Sequence, residues 1–315
     1  MEAPIGTGAF YAFMREREAI RLRKEADRIA TAEGDIPQGP PWTEDLILRQ
    51  FKFTNVRRHH DWTTTQLREH FYSGHRGDDR RSILMMCAFA RYFGRFEFIR
   101  EIGWIDYDQW DDWGFDTVIM TAEDWMDDGE KVFTGAYVIT NQGIRAPKQD
   151  VVVNHFLRDL WTATPALLEI VQMTRSWQKV AVAMSTIKGF GGSGFMSKEI
   201  LLDTMMTDFW DTEPKEFDGY QVTYPADYET WTPIGPGGLR GAARVCGHNH
   251  PEHNTLRPTQ AMDVIMSLHD AQSEMWPEEH GRLWPTDIQF QLCEFDKYER
   301  VRLGQGRPRS RYVPR

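Results

Sequence analysis

The chain has 315 residues, 41% hydrophobic and 27% charged, enough for a buried core in one large domain or two small ones. No apolar run approaches the roughly 20 residues a membrane span needs, and MEAPIGTGAFYAF passes at once into charged residues, so neither an anchor nor a signal peptide is expected. A net charge of -10 argues against DNA binding by bulk attraction and leaves room for a local basic channel, while the scattered Cys87, Cys246 and Cys293 fit a reducing, cytoplasmic setting better than a disulfide framework.

The first predicted element is a helix over residues 10–32. Phe10, Phe13, Met14, Ile20 and Ile29 give it a partial apolar face, and Gly34 ends it. GPPWTEDLILRQF opens a second helix, with Thr43 as cap and Glu44 and Asp45 at its positive end. Residues 82–98 are apolar and aromatic and predict a third. The acidic, tryptophan-rich stretch 104–130 is expected to form loops and short turns. KVFTGAYVIT fits a strand or a buried turn equally well. Residues 151–187 are helical again, capped by Asp150 or Asn154, with Leu157, Leu160, Leu167, Leu168 and Val171 at helical spacing. The fold class is therefore mainly α. The default is one domain, 1–315, with an insert at 104–130 and a basic tail at 297–315.

That tail carries Arg300, Arg302, Arg307, Arg309 and Arg311 among glycine and proline. It reads as a solvated end or as an arm that contacts phosphates. Another basic feature is STIKGFGGSGFMSKEILLDTM. A helix ends near Ile187, and Gly189, Gly191 and Gly192 turn the chain into a second helix over about 194–209, the pattern of a helix-hairpin-helix. Such glycines let backbone N–H groups approach a phosphate, and Lys188 adds a charge beside them. An ordinary glycine-rich turn is the plainer alternative. In hairpin-class DNA glycosylases a catalytic aspartate follows some twenty residues later. Asp211 stands at about that distance, with Asp203 and Asp208 as competitors. Ser193 occupies the place of the lysine used by the lyase types, which argues against Schiff-base chemistry.

A second glycine loop, TWTPIGPGGLRGAARVCG, offers Gly235 and Gly237 to an anion, with Arg240 to grip it. It lacks the Walker lysine, so it is no nucleotide P-loop. Cys246, His248, His250 and His253 are zinc-type donors. Crowded on one short loop they are poorly placed to complete a tetrahedron, so no metal and no other cofactor is expected.

Three groups of segments carry a family resemblance: FYAFMREREAIRLRKEA with PPWTEDLILRQFKFTNVRRHHD; IKGFGGSGF with TWTPIGPGGLRG; and TDIQFQLCEFDKYERVRLGQGRPRSRY. Together they resemble the α-glutamyl/putrescinyl thymine pyrophosphorylases, or amino acid:DNA transferases, across nearly the whole chain. FTNVRR and LCEFDKYER are the most specific parts. The resemblance implies a DNA-glycosylase-like helical fold and a viral pathway, acting in the host cytoplasm, that builds hypermodified thymines. There a separate kinase activates 5-hydroxymethyluracil in DNA to a pyrophosphate, and the enzyme replaces that pyrophosphate with an amino acid or putrescine. CGHNHPEH and the acidic insert depart from the pattern.

That chemistry needs cations at the leaving pyrophosphate, for which Arg57, Arg58, Lys188, Arg240 and Lys297 are candidates, with Asn55 and Asp61 beside the first two. It also needs a carboxylate to take the amine's proton: Glu294, Asp287 or Asp211. Arg300 and Arg307 join Lys188 and the hairpin glycines as DNA-contact candidates. Each arginine is as readily a structural salt bridge. Glu294 and Lys297, three apart on one helix, are as readily a surface pair. The competing functions are a base-excision glycosylase and a non-catalytic DNA-binding partner of the kinase.

Overall fold

The computed structural model describes residues 3–135, 139–192, 194–217, 219–250, 256–306, 308 and 311–312. The fold is mainly helical. It divides into two compact units, Met1–Asp61 with Ile234–Arg315, and Trp62–Pro233.

The first unit begins with α1 (Thr7–Glu33) and α2 (Leu46–Gln50). Helix α1 stops where expected, because Gly34 takes the left-handed conformation at φ 84° that a side chain disfavours. Helix α2 is capped by Asp45, whose carboxylate accepts from the N–H groups of Ile47 and Leu48. Thr43, the expected cap, instead accepts from the Asp45 N–H and so holds the true cap in place.

The second unit carries α3 (Trp62–Leu67), α4 (Arg80–Phe93), α5 (Phe96–Ile102) and α6 (Tyr107–Gln109). It continues through α7 (Phe115–Asp127), α8 (Lys148–Asp150), α9 (Arg158–Thr174), α10 (Trp177–Met184) and α11 (Phe195–Thr204). Strands β1 (Lys215–Phe217) and β2 (Tyr220–Val222) form an antiparallel hairpin. The predicted helix over 82–98 is two helices, because Gly94 caps α4 at φ 64°. Every residue of α4 from Ser82 to Phe93 is buried, so it is the central helix of its unit. The acidic insert is not loop. Residues 107–127 are helical almost throughout, and Trp110 and Phe115 are buried in the core beside Phe89. Its acidic residues Asp111, Asp112 and Glu123 lie outside with Trp113, while Tyr107, Trp110 and Phe115 face in, an amphipathic pattern that the charge had obscured. In KVFTGAYVIT, Phe133 makes an isolated bridge to Gly94, and residues 136–138 lie outside the described residues. The helical stretch after 151 breaks at Arg175, which adopts φ 47°.

The chain then returns to the first unit with α12 (Pro236–Val245), α13 (Pro258–Met275) and α14 (Pro285–Arg302). Phe10 and Phe13 of α1 pack on Phe295 of α14. Arg311 and Tyr312 of the basic tail dock on this unit: Arg311 bridges to Phe51, and the Tyr312 N–H donates to the Gln50 carbonyl. Among the described residues no helix is long and apolar enough to cross a membrane.

Candidate functional site

The two segments with the most specific sequence pattern meet in the first unit. FTNVRR (53–58) has no regular structure before the turn Arg58–His60, and side chains bond to its backbone. Arg17 of α1, buried, donates through Nη2 to the carbonyls of Phe53 and Thr54 at 3.0 Å each. Gln291 of α14 donates to the carbonyls of Asn55 (2.8 Å) and Val56 (3.3 Å). Glu294 accepts from the Thr54 N–H at 3.1 Å, and Lys297 donates to the Lys52 carbonyl at 3.0 Å. One face of α14 therefore reads this strand-like segment almost residue by residue.

Within the cluster the Lys297 ammonium lies 2.5 Å from Glu294 Oε2 and 4.5 Å from the centre of the Phe53 ring. Glu294 Oε1 makes no hydrogen bond among the described residues. Arg17 Nε, Thr54 Oγ1 and Gln291 Oε1 are buried with no hydrogen-bond partner among them. Buried polar atoms in native proteins are almost always satisfied, by protein, ordered water or ligand. Burial pushes the Arg17 guanidinium down, and the charges of Glu294 and Asp61 oppose that.

The other basic candidates here have partners. Arg57 is buried and donates to the carbonyls of His280 and Arg282. Arg58 pairs with Asp61 and lies 5.2 Å from the centre of the Phe290 ring. Asp61 also accepts from the Asn55 N–H at 3.0 Å. Arg240 and Arg244 both bind the buried Asp296, at 2.9 and 2.7 Å, and Arg300 lies 3.5 Å from the same carboxylate. Asp287 sits in the first turn of α14 and accepts from the Trp284 N–H at 3.0 Å. Of the glycines in the second loop, Gly237 packs against α14. Gly235 precedes α12, and a Cβ on Gly237 would lie 3.0 Å from Cys293 Sγ. Cys246, half-buried with its thiol pushed up by burial, His248 and His250 belong to no metal-competent group among the described residues. His253 and Arg307 lie outside the described residues, as do Arg309 and Ser193.

The Gly189 hairpin belongs to the second unit. Gly189 adopts φ 96°, its N–H donates to Gln142, and its carbonyl accepts from the Tyr92 hydroxyl at 2.7 Å. A Cβ on Gly189 would strike Phe156 at 2.5 Å, and one on Gly191 would strike the Ser185 carbonyl at 2.7 Å. Both glycines are thus required for packing. Gly192, at φ 73°, and Lys188 are exposed. The three aspartates beyond the hairpin are in different surroundings. Asp203 is fully buried and bound by Arg91 and by the Tyr72 hydroxyl, while Arg91 Nη2 also reaches Thr64 at 3.0 Å. Burial pushes the Asp203 carboxyl up, against the pull of Arg91. Asp208 pairs with Arg76 at 2.8 Å. Asp211 is exposed, at φ 49°, between Arg80 and Arg175.

Sequence reading missed Arg17, Gln291, Asp296, Arg91 and Tyr72. Only the position of Arg17 on the inner face of a predicted helix offered a signal. The others are identified by partners more than fifty residues away.

Residues 6–307 match the family model described as "5-hmdU DNA kinase, helical domain". No curated protein and no solved structure matches the chain. The match takes in both FTNVRR and LCEFDKYER and links the chain to thymine hypermodification. This chain belongs to the family of 5-hmdU DNA kinase helical domains.

Proposed function

We propose that the chain acts on DNA carrying activated 5-hydroxymethyluracil and exchanges the pyrophosphate on its 5-methylene for an amine, as an amino acid:DNA transferase. The observation that carries this reading is Glu294. Its carboxylate is held through one oxygen by Lys297 and the Thr54 N–H, and the other oxygen is unbonded among the described residues. A carboxylate fixed in that way is oriented to accept a proton. In the exchange the amine nitrogen bonds to the methylene carbon. The C–O bond breaks, its electron pair leaves with pyrophosphate, and the amine's proton passes to Glu294. Lys297 would balance the negative charge on the leaving group. The target base would leave the stack to be reached.

A second reading follows from the family description itself: the chain presents DNA to 5-hydroxymethyluracil phosphorylation and catalyses nothing alone. Its glycine loops lack the Walker lysine, so the nucleotide site would belong to another domain or chain. Mass spectrometry of nucleosides separates the readings. DNA bearing 5-(pyrophosphoryloxymethyl)uracil is incubated with the protein and a mixture of amino acids and putrescine. The transferase yields an intact strand with an aminated base. A glycosylase yields an abasic site. A presenting module yields neither, yet stimulates phosphorylation when the kinase and ATP are added. For the transferase, Glu294→Gln lowers single-turnover rate by roughly a hundredfold with DNA affinity kept. A near-normal rate would remove Glu294 from the mechanism.

A further inference from the structure

Few non-glycine residues in the described chain adopt positive φ, and two of them, Arg175 (φ 47°) and Asp211 (φ 49°), are partners in one ion pair. This conformation is uncommon for side-chain-bearing residues; at Arg175 it ends α9, the N–H bonding to the Val171 carbonyl. Arg175 follows α9, and Asp211 follows the turns after α11. The Asp211 carboxylate lies 3.5 Å from Arg175 Nη2 and 3.4 Å from Nη2 of Arg80, the first residue of α4. Both distances are long for charge-assisted hydrogen bonds. The Asp211, Arg175 and Arg80 side chains are 61, 53 and 29% exposed, so the contact brings little stability. Two guanidiniums, one at the start of α4 and one just past the end of α9, therefore converge loosely on a solvent-facing anion.

The surroundings suit one kind of anion. Thr212, next to Asp211, exchanges hydrogen bonds with the Tyr224 backbone, and the Ala226 N–H donates to the Arg175 carbonyl at 2.7 Å. These bonds bring the segment 224–228 against the arginine pair. On it Tyr224 and Tyr228, both half-buried, lie nearly parallel with ring centres 5.9 Å apart, and Lys215 lies 4.9 Å from the centre of the Tyr224 ring. Paired arginines and a lysine are elements of a nucleic-acid strand site, where cations hold phosphate, and the tyrosines, packed on each other and on Trp177, fix the segment beside them.

We infer that Arg80 and Arg175 form a phosphate clamp for a DNA strand, and that Asp211 is an internal competitor occupying the clamp until a phosphate displaces it. The inference rests on the reading that the chain binds DNA, and it gives Asp211 a gating role in place of a catalytic one. The left-handed backbone of Arg175 ends α9, and together with that of Asp211 it sets the two side chains facing each other.

Fluorescence anisotropy with a single-stranded oligonucleotide containing 5-hydroxymethyluracil tests it, with the full chain and a series of salt concentrations. Asp211→Asn keeps a residue that tolerates positive φ and removes the competing charge. It should tighten binding about threefold or more, whereas Asp128→Asn, the same charge change at an exposed site on α7's C-terminal end, should not. Arg80→Gln and Arg175→Gln should each weaken binding and flatten the salt dependence by roughly 0.7 in log–log slope, the value for one single-strand phosphate contact. In the Arg80→Gln/Arg175→Gln background, Asp211→Asn should have no effect. Circular dichroism and melting of each variant control for folding. Asp211→Asn binding no tighter than wild type, or arginine variants with unchanged affinity and slope, would overturn the clamp while leaving DNA binding intact. A wild-type chain that does not bind the oligonucleotide would remove both the clamp and the DNA reading.

Discussion

Two charged residues show how burial sets behaviour residue by residue. Asp203 was one of three aspartates behind a glycine turn in the sequence, and in the fold it is the sealed partner of Arg91 and Tyr72. Removing one member of a buried pair strands the other charge, at a cost of about 3–5 kcal/mol. Asp203→Asn should therefore shift the urea midpoint strongly downward, and a loss below about 1 kcal/mol would show that Arg91 is satisfied by other groups. Lys24 of α1 is the opposite case. Burial, with Arg17 and Lys52 nearby, pushes its ammonium down to about 8. It lies 4.4 Å from the centre of the Tyr312 ring and 5.0 Å from that of Trp42, which offset only part of the penalty. The unfolded chain holds this proton up to the ordinary value of 10.5, the folded chain only to about 8. The destabilisation is thus full below pH 8 and fades as the pH rises to 10.5. Lys24→Met should raise the melting temperature at pH 7, and the difference from wild type should shrink across that window. A pH-independent difference would mean that packing, not charge, is responsible.

At the scale of the element, the glycine-rich loop is where sequence and structure part company. Gly-Pro-Gly-Gly followed by two arginines reads as an anion cradle. In the fold these glycines let α12 lie directly on α14. A Cβ on Gly241 would stand 2.0 Å from the Leu292 carbonyl, and one on Gly238 2.8 Å from Gln289 Nε2. The arginines turn back onto the buried Asp296 of the same helix. Gly241→Ala should force the two helices apart and cost about 3 kcal/mol or more. Gly8→Ala, in α1 with no atom near the added methyl, should stabilise by about 0.5 kcal/mol through helix propensity. Thermal melts of the pair check both. If Gly241→Ala melts like wild type, the close helix contact is not required. The acidic insert makes the same point in reverse, since its helices were concealed by surface carboxylates while Trp110 and Phe115 carried the core-facing signal.

For the whole molecule, each unit has its own buried cluster, around Met85, Phe89 and Trp110 in one and around Phe10, Leu292 and Phe295 in the other. The segment 62–233 is continuous in sequence, whereas the other unit is assembled from residues before and after it. Expressed alone, 62–233 should give a helical spectrum and a cooperative melt, because its core residues come from within the segment. A spectrum of a disordered chain would show that its core depends on the flanking residues. Lys188 is exposed and makes no hydrogen bond or ion pair among the described residues, so, if the chain binds DNA as proposed, Lys188→Glu should weaken that binding with the melting temperature unchanged. Equal affinity at moderate salt would remove the hairpin from the interface. Gly191→Val is a poor probe of the same idea, because its Cβ meets the Ser185 carbonyl and the turn itself would yield.

The sequence by itself determined the helical class, the end of α1 at Gly34 and a glycine-rich turn near Gly189. These depend on apolar spacing and on residues that tolerate left-handed backbone, both of which are local. It also singled out FTNVRR and LCEFDKYER, which lie some 240 residues apart, without showing that they touch. Only the tertiary structure decided that Gln291, Glu294 and Lys297 satisfy the backbone of that extended segment, that Arg240 is taken by Asp296, and that Asp203 and Asp211 differ so sharply in environment. The reason is physical. An arginine or carboxylate has the same local signature whether it faces solvent, a ligand or a buried partner, and the choice among them is made by long-range packing that brings distant groups within hydrogen-bond reach.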